Sequence, residues 1–253
     1  MRLSIDHKTG FRYSSPVASS YNEARMVPVG TSTQTVWSTR VNVDPTPWSF
    51  TYTDYWGTNV TTFELHEPHE RLTVRAQAVV ETRGDDHPWD TERRTGGGDL
   101  GWAALHDRGV IDSMADYLTF SYRTQPPEDL LALAAETTGK PPRIAALDVC
   151  QDYTHLALGA LRSIGLPARY VSGYLHPGGP EGPNTKVSGE SHSWVEWWCG
   201  SWVAFDPTAQ RRLSERYVRV GHGRDYGDVA PLRGTYSGGS SEMFVTVEMT
   251  QLG

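Results

Sequence analysis

The chain has 253 residues, of which 38% are hydrophobic and 11% aromatic, enough to bury a core in one large domain or two smaller ones. Its formal net charge of -7 argues against nucleic acid or an anionic membrane as a partner, because both would repel an acidic protein. The amino terminus lacks the apolar stretch of a signal peptide and no window could span a bilayer, so we expect a cytoplasmic protein.

Residues 1–85 predict a β-rich N-terminal domain. Turn-forming pairs separate its apolar runs at intervals typical of hairpins. The alternation of apolar and polar residues, with the period of two of a half-buried strand, is clearest in Leu3-Ile5, Val41-Val43, Trp48-Phe50-Tyr52 and Leu72-Val74-Ala76. We therefore expect a small antiparallel sandwich.

Residues 86–253 predict a second domain of mixed α and β structure, so the expected fold class is α+β. A Gly-, Pro- and charge-rich segment, residues 84–100, precedes it as a linker or surface loop. Helical periodicity is weak around Met114 to Leu118 and clear from Pro127 to Glu136. Residues 148–164 carry the apolar stripe of a helix buried on one side, which Gly165 and Pro167 should end.

Strands dominate the remainder of the sequence. Ala168 to Leu175 is strand-like, and a Gly/Pro-rich loop follows it. Two aromatic-rich runs, HSWVEWW and SWVAFDPT, flank Cys199-Gly200 and predict a β-hairpin. The alternation from Met243 to Met249 predicts a last strand that returns to the main sheet.

The two cysteines, Cys150 and Cys199, are interpreted as thiols, because a cytosolic compartment keeps them reduced. Without a CxxC pair or a loop like that of an EF-hand, we expect no metal and no cofactor. Asp148 and Gln151 form a capping-box pattern, which would place Cys150 in the first turn of the predicted helix. Unpaired amides and the positive end of the helix dipole there favour a thiolate and can bind an oxyanion.

Asp148 and Asp152 would oppose that effect, so the thiol also needs an imidazole partner. A hairpin centred on Cys199 would place His192 directly opposite Asp206, and a register shifted by one residue would still leave them neighbours or diagonal. Such a pair is the geometry of an oriented general base, in which the carboxylate fixes the tautomer of the histidine. For each of these residues taken alone, a purely structural role is the common alternative.

The joint arrangement resembles a known family. The strings DVCQDYTHLALGALRSIGLPARYVSGYL, ESHSWVEWW and WVAFDPT resemble the core of bacterial transglutaminase-like proteins, over roughly residues 143–236. The opening residues, with HKTGFRY and SSPV, resemble the β-sandwich that precedes this core in many members. The resemblance implies a papain-like core with Cys150 as nucleophile, His192 as base and Asp206 as orienting carboxylate. Ser193 departs from the pattern, because alanine is frequent at that position.

The resemblance implies acyl transfer through a thioester acyl-enzyme, on a peptide, protein or acyl-thioester substrate. Hydrolysis of an amide, peptide or isopeptide bond is favoured, because water competes with any amine acceptor. Transfer to an amine, as in a transglutaminase, is the near alternative. Two other classes stay open: a catalytically silent peptide-binding module, and metal-dependent hydrolysis using Cys150, His155 and His192. The oligomeric state is not readable from the sequence.

Several other polar residues have weaker predicted roles. Asp152 and His155 could order a substrate, although a helix-surface pair is the more ordinary interpretation. Glu196 could bind a cationic substrate group or be an exposed strand carboxylate. The segment GRDYGDVAP, residues 223–231, could line the cleft or form a salt-bridged structural loop.

Overall fold

The computed structural model describes residues 1–84, 100–136, 154–178 and 182–253. Its strands are β1 (Arg2–Val17), β2 (Ser20–Ala24), β3 (Gln34–Asp44), β4 (Trp48–Thr53), β5 (Asn59–Leu65), β6 (His69–Thr82), β7 (Ala168–Leu175), β8 (Lys186–Ser188), β9 (Glu190–Trp198), β10 (Trp202–Phe205), β11 (Tyr217–Gly223), β12 (Leu232–Tyr236) and β13 (Ser241–Leu252). The described helices are α1 (Trp102–Leu105), α2 (Arg108–Ser113), α3 (Ala115–Leu118), α4 (Glu128–Glu136), α5 (Thr154–Ser163) and α6 (Tyr226–Val229). No helix among them has the length and apolar character needed to cross a bilayer.

The described strands form three antiparallel sheets. The long sheet has the order β3-β6-β1-β13-β8, the small sheet the order β12-β2-β5-β4, and the core sheet the order β10-β9-β7-β11. With few and mostly short helices around them, these sheets make the fold class α+β, as the sequence predicted.

One face of the long sheet joins the other two sheets. At one end it packs against the small sheet, through residues such as Phe63, and at the other end against Val218 and Val220 of the core sheet. The residues of β6 that are buried on this face alternate with more exposed neighbours, as a strand with one covered face requires. They are Leu72, Val74, Ala76, Ala78 and Val80. The predicted N-terminal sandwich is confirmed, and the same face also supports the core sheet.

The C-terminal strand β13 lies in the long sheet, where it pairs with β1 from residue 241 to residue 252. A last strand over Met243 to Met249 is confirmed and extends further at both ends. The predicted domain boundary assigns β13 to residues 86–253. In the structure, however, β12 and β13 pair with strands that belong to residues 1–85. The sandwich is thus built from both ends of the chain, while the boundary between residues 85 and 86 stays a prediction.

Helix α5 packs against the core sheet. The structure describes this helix from Thr154 to Ser163, and residues 148–153 of the predicted helix lie outside the described residues. Its buried side is formed by Ala157, Leu158, Ala160 and Leu161. These side chains pack on Val195 and Trp197 of β9. Gly165 follows with a φ of 80°, the left-handed conformation that ends many helices, as predicted.

His7 connects the long sheet to the core sheet. Its buried ring places Nδ1 2.9 Å from the hydroxyl of Tyr174 in β7, and that hydroxyl donates to the carbonyl of Met26 at 2.8 Å. Because the hydroxyl has only one proton to donate, it accepts from Nδ1 of His7, which fixes the histidine tautomer. Burial lowers the pKa of His7 to about 4, against the smaller opposing effect of Asp6. The ring is therefore neutral in the folded protein near neutral pH.

We expect His7 to make stability depend on pH. Its folded pKa lies below the ordinary value of 6.5, so its contribution is complete above pH 6.5 and is lost as the pH falls towards 4. The shift corresponds to about 3 kcal/mol of unfolding free energy. Urea denaturation between pH 7 and 4 should show a steeper loss for the wild type than for His7→Asn, which keeps a donor for Tyr174. Parallel curves for the two proteins would contradict this prediction.

Candidate functional site

The hairpin of β9 and β10 sets the position of the site. Trp198 pairs with Trp202, so the turn is centred on Gly200 and the predicted centre at Cys199 is wrong. Gly200 has a φ of 107°, a backbone conformation that residues with a Cβ rarely adopt. The need for a glycine at the tight turn therefore decides the register, which shifts from the predicted one.

His192 and Asp206 meet in spite of that shift. Phe205 pairs with Val195, so Asp206, just past the end of β10, faces a position two residues along β9 from His192. The expectation that the two stand directly opposite is wrong, but a diagonal neighbour is still within reach of a histidine ring. The structure places His192 Nε2 2.7 Å from Asp206 Oδ2. The predicted contact between these two residues is confirmed.

Asp206 is fully buried, and both of its carboxylate oxygens accept hydrogen bonds. Oδ2 accepts from His192 Nε2 and, at 2.7 Å, from the hydroxyl of Tyr217. Oδ1 accepts from the backbone amides of Thr208 at 2.9 Å and Ala209 at 3.0 Å. Because a carboxylate can only accept, His192 carries a proton on Nε2, and Nδ1 is the nitrogen that can exchange a proton with a nucleophile.

The hydrogen bonds keep this carboxylate ionised. Burial alone would raise the pKa of Asp206, but the hydrogen bonds from His192, Tyr217 and the Ala209 amide outweigh it and hold the pKa below the usual value. Burial and the hydrogen bond to Asp206 raise the pKa of Tyr217 to about 12, so its hydroxyl keeps the proton that it donates. The pair is thus a negatively charged acceptor facing an imidazole with 13% of its side chain exposed.

Tyr217 and Arg211 are site residues that sequence reasoning missed. Arg211 Nε donates to the Tyr217 hydroxyl at 3.0 Å, and the backbones of Arg211 and Asp206 are paired in an isolated bridge. Arg211, Tyr217, Asp206 and His192 therefore form one chain of hydrogen bonds. Tyr217 opens β11 as one of several buried residues, and Arg211 sits in a polar connection, so neither gave a separate signal in the sequence.

The predicted nucleophile Cys150 lies outside the described residues, as does Asp152. The described part of α5 nevertheless contacts the site strand. Thr154, the first described residue of α5, has its hydroxyl 3.2 Å from that of Ser193, the neighbour of His192. The serine that replaces the frequent alanine therefore contributes a polar contact between α5 and β9.

The environment of Glu196 contradicts both roles predicted for it, an exposed strand carboxylate and a binding group for a substrate cation. It is buried and accepts from Arg169 Nε at 2.8 Å, and Arg219 forms a second, shorter ion pair with it. Burial would raise the pKa of Glu196, but Arg219 and Arg169 outweigh it and bring the pKa to about 2. The guanidinium of Arg169 also lies 3.8 Å from the centroid of the Trp202 ring. Glu196 is neither an exposed carboxylate nor a partner for a substrate cation.

The remaining candidates take structural positions. Arg224 and Asp228 form a salt bridge of 3.0 Å, and Asp225 caps α6 by accepting from the Gly227 amide. This geometry supports the structural alternative for that segment. The ring of His155 lies 5.0 Å from that of Tyr170 at a tilt of 31°, and its Nε2 accepts from the backbone amide of Tyr226 at 3.2 Å. Within the described ranges, no three His, Cys, Asp or Glu side chains are grouped as metal ligands.

Comparisons with known proteins show the family of this chain. Residues 3–81 match the family described as the bacterial transglutaminase-like N-terminal region, and residues 103–207 match the transglutaminase-like superfamily. An uncharacterized protein of Mycobacterium leprae (strain TN) is 39% identical over 99% of both chains. One of Mycobacterium tuberculosis (strain ATCC 25618 / H37Rv) is 31% identical over 98% of this chain and 91% of the relative.

A solved structure shares the fold. The crystal structure of a "Putative Cysteine Protease" from Cytophaga hutchinsonii superposes with a TM-score of 0.69 and 19% identity, covering 98% of this chain and 90% of that one. The similarity spans both the sandwich and the core sheet, so the two parts occur together in that protein as well.

The hydrogen bond from Tyr217 to Asp206 should be measurable as a coupling free energy between the two side chains in a double-mutant cycle. Tyr217→Phe keeps the ring but removes one of the hydrogen bonds to a buried carboxylate, and we expect a loss of about 1 to 2 kcal/mol of unfolding free energy. In an Asp206→Asn background the loss should shrink by at least about 0.5 kcal/mol. Urea denaturation at pH 7 of the four proteins in the cycle measures this, with Tyr236→Phe at a partly exposed position as control. Additive losses would show that the two groups act independently.

The burial of Glu196 generates a second expectation. Glu196→Gln leaves the buried Arg169 and the partly buried Arg219 without their shared counter-charge, and we expect a loss of about 3 kcal/mol or more of unfolding free energy. Glu190→Gln, at an exposed position of the same strand, is the matched control and should change stability by less than about 0.5 kcal/mol. Thermal and urea denaturation test both variants. Equal effects at the two positions would refute the role of the buried ion cluster.

Proposed function

Because the chain belongs to the bacterial transglutaminase-like superfamily, we propose that it is a cysteine-nucleophile acyl-transfer enzyme acting on an amide, peptide or isopeptide bond. Cys150 is the proposed nucleophile, His192 the general base and acid, and Asp206 the carboxylate that orients the histidine. Hydrolysis is the favoured outcome, which would make the protein a peptidase, amidase or deamidase.

One observation supports this proposal above the others: the 2.7 Å hydrogen bond between His192 Nε2 and a fully buried, ionised Asp206. A buried carboxylate paired with a histidine stabilises the imidazolium that forms when the ring accepts a proton. Because Nε2 of His192 donates to Asp206, Nδ1 is the nitrogen that would exchange a proton with the nucleophile.

Chain connectivity supports Cys150 as that partner. Cys150 precedes Thr154 by four residues, a separation of at most about 14 Å even in an extended chain. Thr154 itself contacts Ser193, the residue next to His192. The sequence pattern around Cys150 predicts a helix start, where amide groups favour the thiolate and stabilise an oxyanion.

The proposed reaction has two halves. In the first, the proton of the Cys150 thiol passes to His192 Nδ1, and the thiolate attacks the carbonyl carbon of the substrate. The tetrahedral oxyanion then collapses: the carbon–nitrogen bond breaks, His192 returns the proton to the leaving amine, and a thioester remains on Cys150. The imidazolium exists only between these proton transfers, which is when the charge of Asp206 stabilises it most.

In the second half, His192 accepts a proton from a water molecule, which attacks the thioester carbonyl. The carbon–sulfur bond breaks, the carboxylic acid leaves and the thiol is restored when the proton returns to sulfur. If an amine replaces water, the same steps form a new amide, so transfer to an amine is the alternative product of the same acyl-enzyme. Partition between the two depends on whether an amine can displace water from the site.

Thiol labelling tests the proposed activation. Iodoacetamide should alkylate Cys150 at pH 6, where an ordinary thiol is almost entirely protonated, and His192→Gln should slow that labelling by at least about tenfold. Intact-mass spectrometry followed by peptide mapping gives the rate at each cysteine. Cys199 is fully buried and should label slowly in both proteins, which makes it an internal control. Equal labelling of Cys150 with and without the imidazole would contradict the proposed pair.

Trapping of the acyl-enzyme tests the chemistry itself. Wild-type protein mixed with peptide, glutamine-containing and thioester libraries should gain the mass of an acyl group on Cys150, and Cys150→Ala should not. Adding a primary amine then separates the two outcomes, because hydrolysis releases an acid and transfer releases an amide. Absence of any adduct from all three libraries, in a protein whose Cys150 labels rapidly, would favour the catalytically silent peptide-binding alternative.

A further inference from the structure

We propose that the open edge of β13 beside the start of β9 binds an extended peptide as an added strand. This inference deepens the proposed function, on which it rests, because it names an extended main chain as the substrate class. The occupant follows from backbone geometry at the edge, from its exposed apolar side chains and from the position of the edge beside the start of β9.

The edge is open over half of β13. On one side β13 pairs with β1 along its whole length, but on the other side β8 covers only Glu248 to Thr250. In the described parts of the chain, no strand pairs with residues 241–246 on that side. The sequence SEMFVTV, residues 241–247, also contains no proline or lysine, the residues that commonly protect a strand edge.

The direction of the backbone groups follows from hydrogen bonds further along β13. On the β8 side, the carbonyl of Val247 accepts from Gly189 at 2.9 Å and that of Gln251 accepts from Asn184 at 2.7 Å. The amide and carbonyl of one strand residue point to the same side, and the side alternates along the strand. The backbone groups of Val245 and Met243 therefore point into the open edge. Two such residues, spaced two apart, match the hydrogen-bonding pattern of another extended chain.

The side chains at this edge are also exposed. Met243 is 49% exposed and Val245 is 45% exposed, although β13 pairs with β1 along its whole length. Apolar side chains beside unpaired backbone groups are the two components of strand addition: the backbone supplies affinity, and the side chains supply preference for particular residues.

A groove lies between this edge and the start of β9. It has a volume of about 650 Å³, within the range of ligand sites, and its lining includes Val245 and Val247 of β13 and Glu190 and Ser191 of β9. Ser191 directly precedes His192 in β9. A strand laid along Met243 and Val245 would therefore reach the groove at the start of β9, the strand that carries His192.

A peptide array can test the edge without catalysis. Cys150→Ala protein is applied to an array of acetylated, amidated hexapeptides, and retained peptides are measured in solution by fluorescence anisotropy. Val245→Pro removes the outward amide while the ladder to β1 is kept, because that amide faces away from β1. We expect about five- to tenfold weaker binding for Val245→Pro, as for loss of one hydrogen bond, and less than about twofold change for the shape-matched Val245→Thr.

A second measurement uses the unaltered edge, in case the proline variant folds poorly. Retained peptides are N-methylated at one backbone amide at a time, and binding to the Cys150→Ala protein should fall at alternate positions only. Uniform sensitivity, no sensitivity or no retained peptide at all would overturn the proposal. So would a concentration-dependent dimer, seen by light scattering and abolished by Val245→Pro, because a second copy would then be the occupant.

The failure of this inference is distinguishable from failure of the proposed function. Edge-dependent peptide binding without any acyl adduct on Cys150 would leave the edge site standing and remove the enzyme assignment. An acyl adduct that forms equally well in the wild type and in Val245→Pro, with peptide binding unaffected, would support the enzyme assignment and remove the edge site.

Discussion

The candidate site depends on one buried negative charge. Asp206 has no exposed surface, and an isolated carboxylate in such a place would take up a proton rather than stay ionised. It stays ionised because four donors satisfy its two oxygens: the imidazole of His192, the hydroxyl of Tyr217 and two backbone amides of the following turn. Orientation of His192, and with it the proposed proton exchange at Nδ1, follows from this saturated acceptor.

Those donors come from two strands, β9 and β11, and from the turn between β10 and β11, so the core sheet must hold them in register. β7, at the centre of the core sheet, pairs with β9 on one side and with β11 on the other, which fixes His192 relative to Tyr217. The ion cluster of Glu196 with Arg169 and Arg219 links the same three strands through side chains. Because removing one member would leave an uncompensated buried charge, the cluster penalises slippage of any of these strands.

The long sheet explains why a sandwich and a papain-like core form one structure. Its inner face packs against the small sheet through one apolar cluster and against the core sheet through another, and its β13 edge lies beside the beginning of β9. The long sheet therefore supplies the surface on which the core sheet packs, and it includes the strand edge to which we assign peptide binding.

The sequence by itself determined the periodic elements and the chemistry of the candidate residues. Period-two alternation gave the sandwich strands, helical period and Gly165 gave α5, and the His192 and Asp206 motifs gave the pair that the structure brings together. Tertiary structure alone decided the rest. The hairpin register shifted because its turn requires Gly200, and Glu196 is buried because two arginines from other strands neutralise it. Tyr217 joins the site because β11 and β9 both pair with β7. Such contacts depend on which strands become neighbours, which local periodicity does not encode.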